Sequence, residues 1–311
     1  MAYPSTIESV IEHADDLTLQ WNHLSFCTQR NGNDKRKQIL KDVSGSAKSN
    51  SFTAIMGPSG AGKTFLLESI AQKLEGIAGS VTLNNVLLNR NVMSDISGYL
   101  LQQDTVTDFL TASEYLQFIC TMKLGSTYNK HNRNIHIKKI CADFYMNKSL
   151  NTRIRNLSGG ERKQLLLAAE MLSDPLILLC DEPTTGLDGY NALNVVQILK
   201  QMSLRKKIVI ITVHQPSVDI IQYFNNIILL SQGVKVLEGT SDEISTFFSN
   251  LNILCPVSCS IAEFYVRQIS VIPGNETECM AKIDSIRKSF LESQSATDSH
   301  EKLEILQYNK K

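Results

Sequence analysis

One octapeptide, Gly57-Pro58-Ser59-Gly60-Ala61-Gly62-Lys63-Thr64, constrains the fold of this chain more than any other stretch. It satisfies the pattern G-x-x-x-x-G-K-[ST] at every fixed position. The apolar run Phe52-Thr53-Ala54-Ile55-Met56 before it reads as a buried strand, and residues 65–71 after it have helical character. The motif therefore stands in the strand–loop–helix context that it needs. Glycines let the backbone curl so that successive N–H groups converge on a triphosphate. The helix behind the loop adds its positive N-terminal end. In that arrangement Lys63 reaches the β- and γ-phosphates and the Thr64 hydroxyl ligates Mg²⁺. A glycine-rich turn with a surface lysine would need neither flank.

The rest of the chain alternates strand and helix signals. Leu17, Leu19 and Trp21 share one phase and Leu24 and Phe26 the other, which predicts an antiparallel strand with a break. Residues 1–16 before it are polar and read as loose. After the Asn31-Gly32 turn, whose Lys35-Arg36-Lys37 run reads as solvated, residues 38–43 form a second strand. This N-terminal β layer offers an aromatic to stack on adenine. Phe26 is the candidate, with Trp21 behind it, and core packing is the plainer account of either ring. Residues 80–83 and 86–88 flank Asn84-Asn85 as a hairpin. Residues 96–101 then read as a strand leading into Gln102 and Gln103.

Thr111 and Glu114 make a capping box for a helix carrying Tyr115, Leu116, Phe118 and Ile119. Ile137, Ile140, Cys141 and Phe144 line one face of a second helix. A helical insert is thus expected over residues 103–172. The apolar runs 175–180, 208–213 and 227–230 read as central parallel strands. Strands alternating with helices give an α/β fold with a doubly wound sheet. From Thr240 the chain turns helical through Ile244, Phe247, Phe248 and Leu251. Beyond Pro273 its polar, charged composition reads as a linker or tail.

Charge excludes some partners. Of the 311 residues, 31 are Lys or Arg and 31 are Asp or Glu, so no net field recruits nucleic acid or an anionic surface. Seven cysteines lack paired spacing apart from Cys255 and Cys259, and a lone pair of that kind has no second pair to complete a metal site. They are expected to be reduced thiols. No basic-then-apolar leader opens the sequence. No run approaches the ~18–20 apolar residues of a spanning helix, so the chain as given is expected to be soluble.

Two further motifs carry chemistry. The strand at 176–180 ends in Asp181-Glu182, at the edge where α/β sheets place ligands. Asp181 is the candidate to hold Mg²⁺ through water, and Glu182 the candidate general base toward an attacking water. Ser158 and Glu161 form a second capping box, which begins a helix over 162–171. Gly159-Gly160 between them lowers helix stability. Glycines there bare the helix N-terminus to something close, and an anion fits.

The loop at 57–64, Gln102, Leu157-Ser158-Gly159-Gly160-Glu161, the strand ending in Asp181-Glu182, Gly186-Leu187-Asp188 and His214 follow one another in this order. On these motifs the sequence resembles the nucleotide-binding cassette of an ABC ATPase. More narrowly it resembles the G subfamily of ABC half-transporters, the white/scarlet/brown type. The narrower likeness rests on SGGERK at 158–163, DEPTTGLD at 181–188, TVHQPS at 212–217 and Cys255-Pro256 with Ala262-Glu263-Phe264-Tyr265. It covers about residues 17 to 270.

The resemblance implies a P-loop NTPase cassette with a RecA-like core, an N-terminal antiparallel β layer and an inserted helical subdomain. It assigns residues 17–245 to the cassette and 246–311 to an extension and linker toward an absent transmembrane domain. It implies ATP and Mg²⁺ as ligands, and a second cassette packed head to tail around two ATP molecules. Ser158, Gly159 and Gly160 of one subunit would contact the γ-phosphate held by the other's loop, Gly57 to Thr64. Gln102, or Gln103 in the other register, would touch Mg²⁺ or the attacking water. His214 would bond the γ-phosphate and Asp188 would cross the interface.

The function implied is ATP hydrolysis driving a half-transporter for a small molecule or lipid, associated with the cytoplasmic face of a membrane. A soluble or regulatory ABC ATPase is the alternative. Membrane helices follow the cassette in G-type half-transporters, and Lys311 falls about where such a linker would deliver them. Three positions depart from the family: Gly189 for Ser, Ser260-Ile261-Ala262-Glu263 for Asn-Pro-Ala-Asp, and Asn85 for a turn Gly.

Overall fold

The computed structural model describes residues 16–28, 37–102, 106–125 and 129–308. Gln103, the expected loose terminus over 1–15 and the Asn31-Gly32 turn with Lys35-Arg36 lie outside them. Strands β1 (Thr18–Thr28) and β2 (Lys37–Lys48) pair antiparallel. The break expected in β1 falls at His23, whose φ is 56°. The register shifts there, and the shift keeps Leu19, Trp21, Leu24 and Phe26 all buried despite their change of phase.

β3 (Phe52–Met56) enters the phosphate loop, and α1 (Lys63–Ile70) leaves it. β4 (Ala78–Leu83) returns beside β1 and turns into β5 (Val86–Leu87). Asn84 and Asn85 make that turn with φ of 45° and 66°. Asparagine tolerates this left-handed pair, which a two-residue hairpin of matching twist requires. Asn85 therefore serves where a glycine is customary.

Helix α2 (Arg90–Ile96) is capped by the Asn89 side chain, which accepts from the Val92 N–H. It absorbs Ile96, so the strand expected over 96–101 is shortened to β6 (Ser97–Leu100). The insert holds α3 (Ala112–Leu124), α4 (Lys130–Asp143) and α5 (Gly159–Met171), and the boxes at Thr111/Glu114 and Ser158/Glu161 both form. The predicted face of α4, with Phe144 just past its end, is buried. The core resumes with β7 (Ile177–Cys180), α6 (Gly189–Ser203), β8 (Ile208–Val213), α7 (Val218–Ile221) and β9 (Asn226–Ser231). β10 (Val234–Gly239) follows at once, a hairpin partner of β9 turned by Gln232 and Gly233.

The larger sheet runs β10-β9-β3-β8-β7-β6, parallel except for β10. Its period-two alternation divides the interior. Val209 and Ile211 of β8 and Leu178 and Cys180 of β7 face the helical insert and the C-terminal helices. Ile208, Ile210, Ile177 and Leu179 face α1 and the four-stranded sheet. Both faces are covered, which explains why these strands read as unbroken apolar runs.

The C-terminal region is more ordered than its composition suggests. α8 (Ser241–Asn250) and α9 (Ile261–Gln268) are joined by the Tyr265 hydroxyl, which donates to the Ser241 carbonyl at 2.6 Å. The altered Ser260–Glu263 segment thus still docks, with Ala262, Phe264 and Tyr265 buried. The stretch after Pro273, read as linker or tail, is a helix, α10 (Glu276–Tyr308). Ile283, Ile286 and Phe290 bury one narrow stripe of it, and the Phe290 ring meets Phe247 edge-on at 5.6 Å. Three apolar residues among polar ones supply that face, too few to dominate the composition.

Candidate active site

Parallel register brings the C-terminal ends of three strands to one level. Met56 lies opposite Val213 and Cys180 opposite Ile211. The residues that follow these ends are the phosphate loop, Asp181-Glu182 and His214. The loop is backbone-tight: a Cβ on Gly57 would lie 2.0 Å from the Leu230 carbonyl oxygen. Gly62 caps α1 with a left-handed φ of 101°, which strains any other residue. Lys63 is 6% exposed, and its Nζ donates to the carbonyls of Gly57 at 3.0 Å and Pro58 at 3.2 Å. Burial lowers its pKa, and the nearby Glu182 and Asp181 charges oppose that shift.

Asp181 is 3% exposed and held on two sides. The Thr64 hydroxyl lies 2.9 Å from Oδ2, and the Thr212 hydroxyl donates to Oδ1 at 2.5 Å. Thr212 also accepts the Glu182 N–H at 2.8 Å. Glu182 has φ of 45°, outside the ordinary range for its type. Residues held this way concentrate at functional sites and cost on the order of 1 kcal/mol or more. Its Oε2 accepts from Gln102 Nε2 and from the Thr185 hydroxyl, each at 2.9 Å. His214 Nε2 and the Ser59 hydroxyl share a hydrogen bond of 2.8 Å. Lys163 of α5 donates to the Gln102 carbonyl at 3.4 Å, tying the insert to that glutamine.

These contacts gather Gly57 to Thr64, Gln102, Asp181, Glu182 and His214 into one group. Thr212 and Thr185 join it although sequence reasoning gave neither a role. For Thr212 the available signal was a hydroxyl near the end of an otherwise aliphatic strand. Phe26 is 9% exposed and stacked on Phe65, the residue after Thr64, with centroids 5.6 Å apart. Its packing against Phe65 places it in the core behind α1.

Ser158, Gly159, Gly160 and Asp188 form a second group. The Ser158 hydroxyl accepts the Glu161 N–H at 3.2 Å, and Glu161 returns the bond to the Ser158 N–H at 2.9 Å. The Ser149 hydroxyl holds Glu161 as well, and its bond is the main cause of the lowered Glu161 pKa. Asp188 caps α6 by accepting the Asn191 N–H at 2.9 Å. A side chain on Gly189 would meet nothing within 4 Å, so that departure from Ser leaves the turn intact. Gly160 is different. It is buried, and a Cβ there would lie 2.6 Å from Asn191 Oδ1. The packing of α5 on α6 therefore requires this glycine, apart from any anion.

A sheet with a phosphate loop after one strand, a carboxylate pair after another and an inserted helical subdomain defines a P-loop NTPase cassette. Residues 40–185 match the ABC transporter family. Protein white of Drosophila melanogaster is 37% identical over 89% of this chain and 42% of its own length. An ABC transporter ATP-binding protein/permease of Caenorhabditis elegans is 34% identical over 84% and 41%. ABC transporter G family member 19 of Arabidopsis thaliana is 34% identical over 80% and 35%. The chain belongs to the ABC transporter family, in the G subfamily.

In fold it is similar to a bacterial ABC transporter cassette solved as a dimer, with a TM-score of 0.62 and 24% identity over 71% of this chain and 98% of that one. The chain spans less than half the length of these curated relatives. Among the described residues no helix is long and apolar enough to cross a membrane.

Proposed function

We propose that this chain binds and hydrolyses ATP as the motor of a G-type transporter, working as a pair of cassettes on the cytoplasmic side of a membrane beside transmembrane helices. One observation carries the reading: Thr64, Asp181, Thr212, Glu182 and Gln102 form a continuous chain of hydrogen bonds beside Lys63. A hydroxyl and a carboxylate are hard oxygen donors, the set that suits Mg²⁺, and the glycine cradle has no side chains to displace a phosphate. Thr64 and Asp181 would hold the ion, which neutralises charge on the transferring phosphoryl group.

The protein's own residues supply the remainder. Lys63 gives a point charge to the β- and γ-phosphates, and the α1 N-terminus gives its amides. Gln102 and Thr185 both bind Glu182 Oε2, so Oε1 is the oxygen available to accept a proton from water. His214, which shares a hydrogen bond with Ser59 of the loop, would bond the γ-phosphate. The adenine contact proposed for Phe26 would use the ring face turned away from Phe65.

The test is ATP turnover by the chain with Mg²⁺, compared with Glu182→Gln. The substitution is expected to retain ATP binding and lower hydrolysis by about 10²–10⁴-fold. Equal turnover by the two proteins would remove Glu182 from the mechanism.

A further inference from the structure

We infer that Asn191 is a positioning residue that locks the Ser158-Gly159-Gly160 helix start and the Asp188 turn of one subunit into a single edge. This rests on the two-cassette ATPase reading, in which both elements face the partner's nucleotide. The Asn191 amide lies between them. Its Nδ2 donates to Asp188 Oδ2 at 2.6 Å, while its backbone N–H donates to Oδ1 at 2.9 Å. One residue therefore holds both oxygens of the Asp188 carboxylate and fixes its rotamer.

The other side of the same amide packs on Gly160. A Cβ there would lie 2.6 Å from Asn191 Oδ1, 2.7 Å from Cγ and 3.0 Å from Cβ. Gly159 lies nearly as close to Leu187, 3.2 Å from its Cδ2 by the same measure. The start of α5 thus rests directly on the residues that bracket Asp188, and neither element can shift without moving the other. Contacts to a transferring phosphoryl group tolerate little displacement: an error of about 1 Å can lower turnover ~10²-fold. A shared anchor makes the two contacts arrive together when the cassettes close.

Four variants of the full chain test this: Asn191→Ala, Gly160→Ala, Asn191→Gly, and Gly160→Ala combined with Asn191→Gly. Asn191→Ala keeps the backbone cap and loses only the side-chain lock. It is expected to lower kcat about tenfold while KM for ATP stays within about twofold. Gly160→Ala forces a methyl against Asn191 and should lower Tm by about 3–8 °C. Adding Asn191→Gly makes room for that methyl, so the double variant should melt no lower than Asn191→Gly alone.

An unchanged kcat in Asn191→Ala, or additive melting shifts in the cycle, would overturn the lock. Absence of turnover in the unaltered chain would instead overturn the ATPase reading. The melting cycle then decides the Asn191–Gly160 contact by itself, with coupled shifts upholding the lock.

Discussion

The hydroxyl of Thr212 sits in a strand whose other residues, Ile208 to Ile211 and Val213, are aliphatic and buried. It donates to the Asp181 carboxylate and accepts from the Glu182 N–H, so one atom ties that carboxylate to the backbone that carries Glu182. Thr212→Val keeps the shape and removes both bonds. It leaves a buried carboxylate one donor short and the amide of a strained residue unpaired. The expected outcome is a loss of about 1–3 kcal/mol in denaturant unfolding and a fall in ATP turnover, with ATP binding retained. A variant as stable and active as the parent would show that Thr64 alone suffices to hold Asp181. At this scale the sequence was legible where a motif fixes spacing, as for Lys63, Thr64, Asp181 and Glu182. It was silent on Thr212, whose partners become neighbours only through strand register, and on the contact of Asn191 with Gly160, which only helix packing creates. Gly160 was legible as a glycine but not in its cause, since Asn191 lies on the next helix of the core.

The first turn of α5 shows how an element carries pH dependence. Glu161 accepts from Ser149, the Ser158 N–H and the Ser158 hydroxyl, which hold its pKa below the ordinary 4.5. A carboxyl whose folded pKa is depressed stabilises the fold above its unfolded pKa, and that contribution disappears as pH falls through the folded value. Glu161→Gln can still cap the helix but cannot titrate. The difference in Tm between the parent and Glu161→Gln should therefore favour the parent near pH 7 and shrink steadily below pH ~4.5. A difference constant from pH 7 to pH 3 would contradict this. The capping box itself was plain in the sequence, because its four residues are contiguous; the Ser149 bond was not, because a loop brings it back. α10 is the converse case. Its stripe of Ile283, Ile286 and Phe290 is too narrow to outweigh a polar composition, and the Phe247 ring that receives Phe290 belongs to α8. Truncating that contact in Phe290→Ala should cost about 3 kcal/mol of unfolding free energy. An exposed tail would register no change.

At the scale of the whole molecule, the two groups of site residues face different neighbours. The helix start at Ser158 to Gly160 packs on Leu187 and Asn191, whereas the phosphate loop closes around Lys63 and lies beside Asp181 and His214. On the two-cassette reading proposed above, a pocket that needs both groups is completed by a second subunit placed head to tail, so each subunit would lend one half to its partner. Two lesions then become complementary. Lys63→Ala disables the loop and leaves the helix start intact. Gly159→Asp leaves the loop intact and puts a negative charge where a γ-phosphate would dock. Gly159 is exposed, and an acidic side chain in the first turn favours the helix, so the second variant should fold. Each variant alone should be inactive. In an equal mixture about half the pairs are mixed, and each holds one complete pocket, built from the loop of the Gly159→Asp chain and the helix start of the Lys63→Ala chain. Turnover should rise to about a quarter of that of the unaltered protein. If mixing in any ratio left both folded variants inactive, the pocket could not be shared between subunits in this way.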